Sequence, residues 1–371
     1  MARVKGTPAA KPAKHIDWTG EKRVSLALQG GGSHGAFTWG VLDYILEDAR
    51  LDIEAISGTS AGAMNAVVLA EGYINGGREG ARQNLADFWQ SISREAAMSA
   101  LPQNPFTAIL TQMLGDNSPI QFWTDLLTHY SSPYEFNPLN LNPLRDHLQK
   151  VVDFDKVRAC TEIEIYVAAT NVHTGKIAVF ERDILTADHV MASACLPLVF
   201  QAVEIDGIPH WDGGYMGNPA LFPLYKKTAS DDLILVQINP IERVSTPRTA
   251  REIQNRLNEI TFNSTLINEM RAIDFVTRLL AEKKLSLDKY KAVHMHRIDG
   301  DDALAQFSAA SKSNTSWEFL TGLRDLGRAA AKAWLARNYD AIGVRGTLAL
   351  RDEIAGTPPV GPQKHEGLAG R

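Results

Sequence analysis

Cysteine is nearly absent from this chain of 371 residues, which contains only Cys160 and Cys195. Two cysteines cannot build a disulfide scaffold, and neither lies in a spacing pattern typical of metal ligands. Both have apolar neighbours, so we expect two small buried side chains in a protein of a reducing compartment. The sequence excludes the small disulfide-rich folds and indicates no metal site.

Long apolar runs and an excess of charge of one sign are also missing. The most apolar stretch, residues 61–70, is too short and too polar to span a bilayer, and the N-terminus lacks the apolar segment of a signal peptide. The net charge of -5 argues against nucleic-acid binding. We expect a cytoplasmic protein that touches membranes only at their surface.

The remaining composition, 44% hydrophobic and 22% charged, is typical of a large globular domain. We expect a disordered basic arm over residues 1–22, one α/β domain over residues 23–340 and a loose tail over residues 341–371. Residues 101–150, rich in Pro, Asn and aromatic side chains, interrupt the alternation of strands and helices. They predict an insertion over the mouth of the sheet, as a hydrophobic subdomain or a lipid-facing lid.

Residues 24–72 predict a strand, a glycine loop, a helix, a second strand, a tight turn and a second helix that ends at Gly72. The tight turn contains Ser60 in a Gly-x-Ser-x-Gly pattern between Gly58 and Gly62. Glycines at those two positions remove side chains that would clash in a sharp strand-to-helix turn. The serine then lies at the N-terminus of the following helix, where backbone amides favour a developing anion. This pattern predicts a nucleophilic serine.

The preceding glycine loop predicts the second part of such a site. It contains Gly30, Gly31 and Gly32, whose backbone N–H groups are unhindered and suit an oxyanion hole. A competing interpretation is a dinucleotide fingerprint, since Gly30, Gly32 and Gly35 have its spacing. That fingerprint needs an acidic residue at the end of the second strand, but here Glu54 lies at the start of that strand. We therefore expect no dinucleotide cofactor.

Further strands and helices are predicted downstream. Residues 163–167 with 177–180, and residues 202–205 with 208–211, predict two hairpins, and residues 233–238 predict a central parallel strand. Residues 251–284 and 317–339 predict long helices. We expect the first of these to pack on the sheet through one apolar stripe, which consists of Ile253, Leu257, Ile260, Ile267, Met270, Ile273, Val276 and Leu280.

A serine nucleophile needs a base, and Asp212 is the best candidate. It ends a strand-like segment and is followed by Gly213 and Gly214, a pattern that a hydrophobic core does not require. A Ser60–Asp212 dyad would let the carboxylate accept the serine proton directly. The alternative is a triad with His294 or His296 as the base. The dyad is preferred because the serine comes very early in the chain and both histidines lie in an alternating, strand-like segment.

The three motifs together resemble the patatin-like phospholipases: Gly-Gly-Gly-x-x-Gly, then Gly-x-Ser-x-Gly, then Asp-Gly-Gly. The resemblance covers about residues 22–238. It implies a three-layer α/β/α fold with a mainly parallel sheet, and a Ser–Asp dyad that hydrolyses acyl esters of lipids. The positions it implies are Ser60 as nucleophile, Asp212 as base, Gly30, Gly31 and Gly32 as oxyanion hole, and Gly35, Gly58, Gly62, Gly213 and Gly214 as motif glycines.

One position departs from that family. The glycine loop usually contains Arg or Lys where this chain has His34, which at its normal pKa is mostly neutral at pH 7. A role for position 34 through its charge is therefore in question. The histidine either supports the loop or makes only local hydrogen bonds.

Motifs and resemblance together predict a lipid acyl hydrolase without a metal or cofactor. Its partners would be a lipid or acyl-ester substrate and, transiently, a membrane surface; the oligomeric state is not indicated. Two other functions remain open. One is a soluble carboxylesterase or thioesterase that uses the same residues, and the other is a non-catalytic lipid-binding protein.

Overall fold

An eight-stranded sheet forms the centre of the computed structural model, which describes residues 21–99, 132–243, 245–300, 303–304, 306–307 and 309–355. Its strands are β1 (Lys22–Leu28), β2 (Leu51–Gly58), β3 (Glu164–Asn171), β4 (Lys176–Glu181), β5 (Val203–Ile205), β6 (Ile208–Asp212), β7 (Asp232–Gln237) and β8 (His294–Asp299). The order is β5-β6-β3-β2-β1-β7-β8, and β4 pairs with β3.

The strands from β3 through β2, β1 and β7 to β8 are all parallel, whereas β4 and β6 run antiparallel to β3. In central β1 and β7, residues 24–28 and 232–237 are all buried, as expected of strands covered on both faces. The predicted mainly parallel sheet is confirmed. Both predicted hairpins are also present, as β3–β4 and β5–β6.

Helices cover both faces of the sheet. They are α1 (Gly35–Asp48), α2 (Ala61–Ser99), α3 (Pro133–Phe136), α4 (Pro143–Val151), α5 (Phe154–Ala159), α6 (Ala187–Ser193), α7 (Phe222–Lys227), α8 (Ala250–Ala281), α9 (Trp317–Asn338) and α10 (Leu350–Ala355). Helices α1, α2 and α9 contribute to one core cluster, and α7 and α8 contribute to a second cluster on the other side. This is the three-layer α/β/α arrangement that the resemblance implied.

Two helix predictions need correction. Helix α2 continues past Gly72 and breaks only at Gly76 and Gly77, whose backbone angles are not helical. Helix α8 starts with a capping box of Thr249 and Glu252, but it buries only part of the predicted stripe. Of that stripe Met270 and Ile273 are buried, whereas the side chains toward its N-terminal end are exposed: Ile253, Leu257 and Ile260.

The buried face of α8 includes Glu259 and Asn263 beside Leu266. These polar side chains contact the polar groups behind the glycine loop, for example through the Gln29–Asn263 hydrogen bond. A hydrophobic pattern cannot detect a buried face that contains polar residues. The helix therefore packs on the sheet as predicted, but its N-terminal half does so through a different face from the predicted stripe.

The described structure extends beyond the predicted domain limits at both ends. Strand β1 begins at Lys22, the last residue assigned to the arm. The tail was expected to be loose from residue 341, but Ile342 is buried and the Thr347 amide donates to the Met295 carbonyl oxygen in β8. Residues 1–20 and 356–371 lie outside the described part of the chain. The same is true of residues 101–131, which belong to the predicted insertion. Among the described helices, none combines the length and the apolar character needed to cross a bilayer.

Candidate active site

Ser60 lies between the end of β2 and the start of α2, with a backbone φ of 52°. This left-handed conformation is uncommon for a residue other than glycine and is typical of a strained nucleophile turn. The turn is held by two hydrogen bonds: the Ser60 amide donates to the Ser193 hydroxyl at 2.8 Å, and the Gly62 amide donates to the Thr59 carbonyl at 2.8 Å. The predicted turn is thus present, and its side chain is presented beyond the strand end.

Close packing explains why glycine is needed at position 62 of the turn and at position 30 of the glycine loop. A Cβ atom on Gly62 would lie 2.3 Å from the carbonyl oxygen of Leu28 in β1, so no larger residue fits between the turn and the neighbouring strand. A Cβ atom on Gly30 would lie 2.8 Å from the Cβ atom of Ser60. The glycine loop is therefore in direct contact with the serine.

Strand β3 brings Asp212 to this turn. Strands β2 and β6 both pair with one hydrogen-bonding edge of β3, because β4 pairs with its other edge. Along that edge, Gly58 pairs with Val167 and Asp212 pairs with Ala169, so the end of β6 meets the end of β2. Residues that are more than 150 positions apart in the sequence thereby become neighbours.

The Ser60 hydroxyl lies beside the carboxyl group of Asp212 and, as a donor to it, lowers its pKa. Asp212 is buried and also accepts a 2.6 Å hydrogen bond from the Gly214 amide. Burial raises the pKa of Asp212 to about 7, although the bonds from Gly214 and Ser60 and the charge of Lys312 each lower it. A carboxyl group with this pKa is well suited to exchange protons near neutral pH.

The glycine loop is anchored by buried amide side chains that the sequence analysis did not identify. The Gly30 amide donates to Oδ1 of Asn218 at 2.7 Å, and Nδ2 of Asn239 donates to the Gly30 carbonyl at 2.7 Å. Because the Gly30 N–H group already has this acceptor, its predicted role as an oxyanion donor is wrong for this arrangement. Within the described residues, the N–H groups of Gly31 and Gly32 have no acceptor.

His34 follows this loop and is buried. Its Nε2 atom lies 2.8 Å from the Ser311 hydroxyl, and its ring is flanked by the rings of Phe307 and Phe319. Burial and, to a smaller extent, the charge of Lys312 lower the pKa of His34 to about 4. The imidazole is neutral at pH 7, so it supports the loop by packing and a hydrogen bond rather than by charge.

The two histidines of the alternative triad lie beside a different carboxylate. Nε2 of His296 lies 3.0 Å from Oδ1 of Asp232, and Nδ1 of His294 lies 3.4 Å from the same oxygen. Asp232 begins β7, whereas Ser60 follows the opposite end of β2 in the same parallel sheet. The triad is therefore not formed.

No group of three or more His, Cys, Asp or Glu side chains that could hold a metal ion occurs among the described residues. Cys160 and Cys195 are both buried free thiols there, as predicted. Burial raises the pKa of Cys160 to about 11 and that of Cys195 to about 12, so both thiols are protonated at neutral pH.

The fold and this site define a class of protein. The family model for the patatin-like phospholipases matches residues 26–225, more than half of the chain. The chain belongs to this family, and the resemblance of its motifs is confirmed.

Solved structures similar to this chain include VipD from Legionella pneumophila, with 15% identity and a TM-score of 0.32 over 82% of this chain and 67% of VipD. Another is the type III effector ExoU from Pseudomonas aeruginosa, with 14% identity and a TM-score of 0.36 over 86% of this chain. The chain spans about half of the length of ExoU, at 53%. No curated protein sequence matches the chain.

Proposed function

We propose that this protein is a lipid acyl hydrolase that uses Ser60 and Asp212 as a catalytic dyad. The observation that carries the proposal is that the hydroxyl of a strained serine lies beside a buried carboxyl group, whose pKa burial raises to about 7. Membership of the patatin-like phospholipase family supports the lipid ester as substrate class. A purely structural turn would have no need for a buried carboxyl group at this position.

The proposed reaction has two steps. Oγ of Ser60 forms a bond to the ester carbonyl carbon while its proton moves to Asp212, and the N–H groups of Gly31 and Gly32 stabilise the resulting oxyanion. The carbon–oxygen bond to the alcohol then breaks, and that alcohol takes the proton from Asp212. In the second step water attacks the carbonyl carbon of the acyl–serine ester while Asp212 accepts a proton from the water. The bond between that carbon and Oγ of Ser60 then breaks, Asp212 returns the proton to Oγ, and the fatty acid is released.

Labelling with a fluorophosphonate probe tests the nucleophile. The wild-type chain should become labelled at Ser60, as located by peptide mass spectrometry, and Ser60→Ala should remain unlabelled. Ser193→Ala is a matched control, because this serine contacts Ser60 but is not the proposed nucleophile. Labelling that persists in Ser60→Ala, or a folded wild type that stays unlabelled, would contradict the proposal and favour a lipid-binding role.

Membrane contact belongs to the same proposal. The segment between α6 and β5 leads to the dyad, since the Asp212 amide donates to the Cys195 carbonyl. This segment exposes Leu196, Leu198 and Val199. Exposed apolar side chains at the edge of an active site suit a substrate that lies in a lipid surface. A soluble carboxylesterase would have no use for them, so we favour the lipid substrate over that alternative.

A further inference from the structure

Lys312 contacts the glycine loop from a distant part of the sequence. It lies in a short 3₁₀ helix, Ala309–Ser313, whose backbone packs against the loop. A Cβ atom on Gly32 would lie 2.5 Å from the carbonyl oxygen of Lys312. Gly32 has a φ of 58°, so both its conformation and this contact require glycine. The main chain of Lys312 therefore forms one wall of the proposed oxyanion hole.

The ammonium group of Lys312 is also connected to the same loop, through the side chain of Asn239. Its Nζ atom donates to Oδ1 of Asn239 at 2.7 Å, and Nδ2 of Asn239 donates to the Gly30 carbonyl. Oε1 of Gln29 accepts hydrogen bonds from both the backbone N–H group and Nδ2 of Asn239. Because Asn239 is fully buried, its side chain is fixed by these partners. The ammonium group thus orients the amide that holds Gly30.

The charged groups that face Lys312 come from three elements. Burial lowers the pKa of Lys312, whereas Glu259 on α8 and Asp212 at the end of β6 favour its positively charged form and Arg243 after β7 opposes it. Glu259 is already bound by two arginines, at 2.8 Å from Arg243 and 3.0 Å from Arg256. Asp212 has no such partner among the ion pairs of the described residues. The positive charge of Lys312 therefore acts on the proposed base, whose pKa it lowers.

We propose, on the basis of the hydrolase function above, that Lys312 is a positioning residue of this active site. Its ammonium group fixes Asn239 and the glycine loop, and its charge favours the anionic form of Asp212 that accepts the serine proton. His34 cannot supply this charge, since it is neutral. The positive charge beside the loop instead comes from a residue that lies 278 positions after His34 and outside the matched family region.

Substitutions at Lys312 separate this role from simple packing. We would compare the full-length wild type with Lys312→Met, Lys312→Arg and the surface control Lys284→Met, using p-nitrophenyl butyrate between pH 5 and 9. Lys312→Met should lower kcat by about tenfold to a hundredfold, with a smaller change in KM. It should also move the acidic limb of the kcat/KM profile to higher pH, because the anion of Asp212 loses a favourable charge. Lys312→Arg should keep the wild-type position of that limb, and Lys284→Met should change neither quantity.

The proposal is overturned if Lys312→Met leaves the acidic limb where it is, whether kcat falls or not, because packing alone would not move that limb. Thermal unfolding checks that each variant is folded, and Lys312→Gln replaces Lys312→Met if the latter is not.

A second measurement does not need activity. The difference in unfolding free energy between a chain and its Asp212→Asn variant follows the titration of Asp212. The midpoint of that difference should lie at higher pH in the Lys312→Met background than in the wild-type background, and an unchanged midpoint would overturn the proposal. An inactive wild type would contradict the hydrolase function and leave this measurement intact.

Discussion

At the scale of single residues, Asp212 combines a catalytic advantage with a cost in stability. Burial disfavours its charged form and raises its pKa to about 7, which is close to the value that a base needs at neutral pH. The same burial means that the folded protein must bear a desolvated carboxylate whenever the base is active. Activity and stability should therefore respond in opposite directions to pH.

The rate of hydrolysis should follow the ionisation of Asp212. We expect kcat/KM for a soluble ester to rise with pH, with a midpoint near pH 7, and to level off above it. Asp212→Asn should lower kcat by about a thousandfold or more. His294→Ala and His296→Ala should each retain a rate within about tenfold of wild type, because both lie beside Asp232 and not beside Ser60. Loss of activity in a folded histidine variant, with activity kept in Asp212→Asn, would instead support the triad.

Stability should show the opposite dependence. The pKa of Asp212 is raised in the folded state, from 3.8 to about 7, so its contribution is most favourable at low pH and is lost as the pH rises from about 4 to 7. Relative to wild type, Asp212→Asn should therefore gain about 2–3 kcal/mol in unfolding free energy between pH 5 and pH 8. Urea unfolding at the two pH values measures this gain. Asp206→Asn, at an exposed turn residue, serves as the control and should show no such gain. An equal difference at both pH values would mean that Asp212 is not desolvated.

At the scale of elements, the site depends on how closely helices approach each other beneath it. Helix α9 crosses α1, which begins directly after the glycine loop. A Cβ atom on Gly327 in α9 would lie 2.0 Å from the carbonyl oxygen of Phe37 in α1. The two backbones are thus in contact, and a shift of α9 would be transmitted to the start of α1.

Two glycines in α9 provide a matched pair. Gly327→Ala should destabilise the protein by about 1–3 kcal/mol, because the added methyl group overlaps the α1 backbone. Gly322→Ala should be neutral or stabilising by up to about 1 kcal/mol, since no atom lies within 4 Å of its Cβ position and alanine favours helix. Urea unfolding of both variants measures the contrast. Equal effects would show that α1 and α9 do not pack in this way.

Local patterns predicted the elements well and the contacts between them less well. The turn at Ser60, the glycine loop and the strand that ends at Asp212 were visible because each depends on residues adjacent in sequence. Asn218, Asn239 and Lys312 carry no such local signal, since their importance arises only when distant segments meet. The buried side of α8 was misjudged for a related reason: it contains Glu259 and Asn263, which hydrophobic periodicity treats as surface residues.

At the scale of the whole molecule, the dyad and an exposed apolar segment lie close together. Leu198 is 69% exposed and Val199 is 46% exposed, and both follow Cys195, the hydrogen-bond partner of the Asp212 amide. This arrangement would bring the active site to a membrane without inserting a helix into it. Binding to the surface and access to the serine would then occur on the same side of the protein.

Substitution of this segment should separate surface binding from chemistry. Leu198→Ser should reduce hydrolysis of long-chain phospholipid vesicles by about tenfold, because less apolar area enters the lipid surface, and should change hydrolysis of p-nitrophenyl butyrate by less than twofold. Leu287→Ser is the control: its side chain is 71% exposed, but it lies between α8 and β8, away from the dyad. Equal losses on both substrates would place the role of Leu198 in the active site itself.

Strands β2 and β6 both pair with one edge of β3. The distance between Ser60 and Asp212 along the sheet is therefore set by β3 alone. Between the partners of Gly58 and Asp212, β3 advances by two residues, about 7 Å. Inserting or deleting one residue there would alter this spacing by about 3.3 Å and turn the following side chains to the other face of the sheet. The loop between β3 and β4 can vary in length without this effect. In homologues of this chain we therefore expect length changes at the hairpin tip and only substitutions at Val167, Ala168 and Ala169.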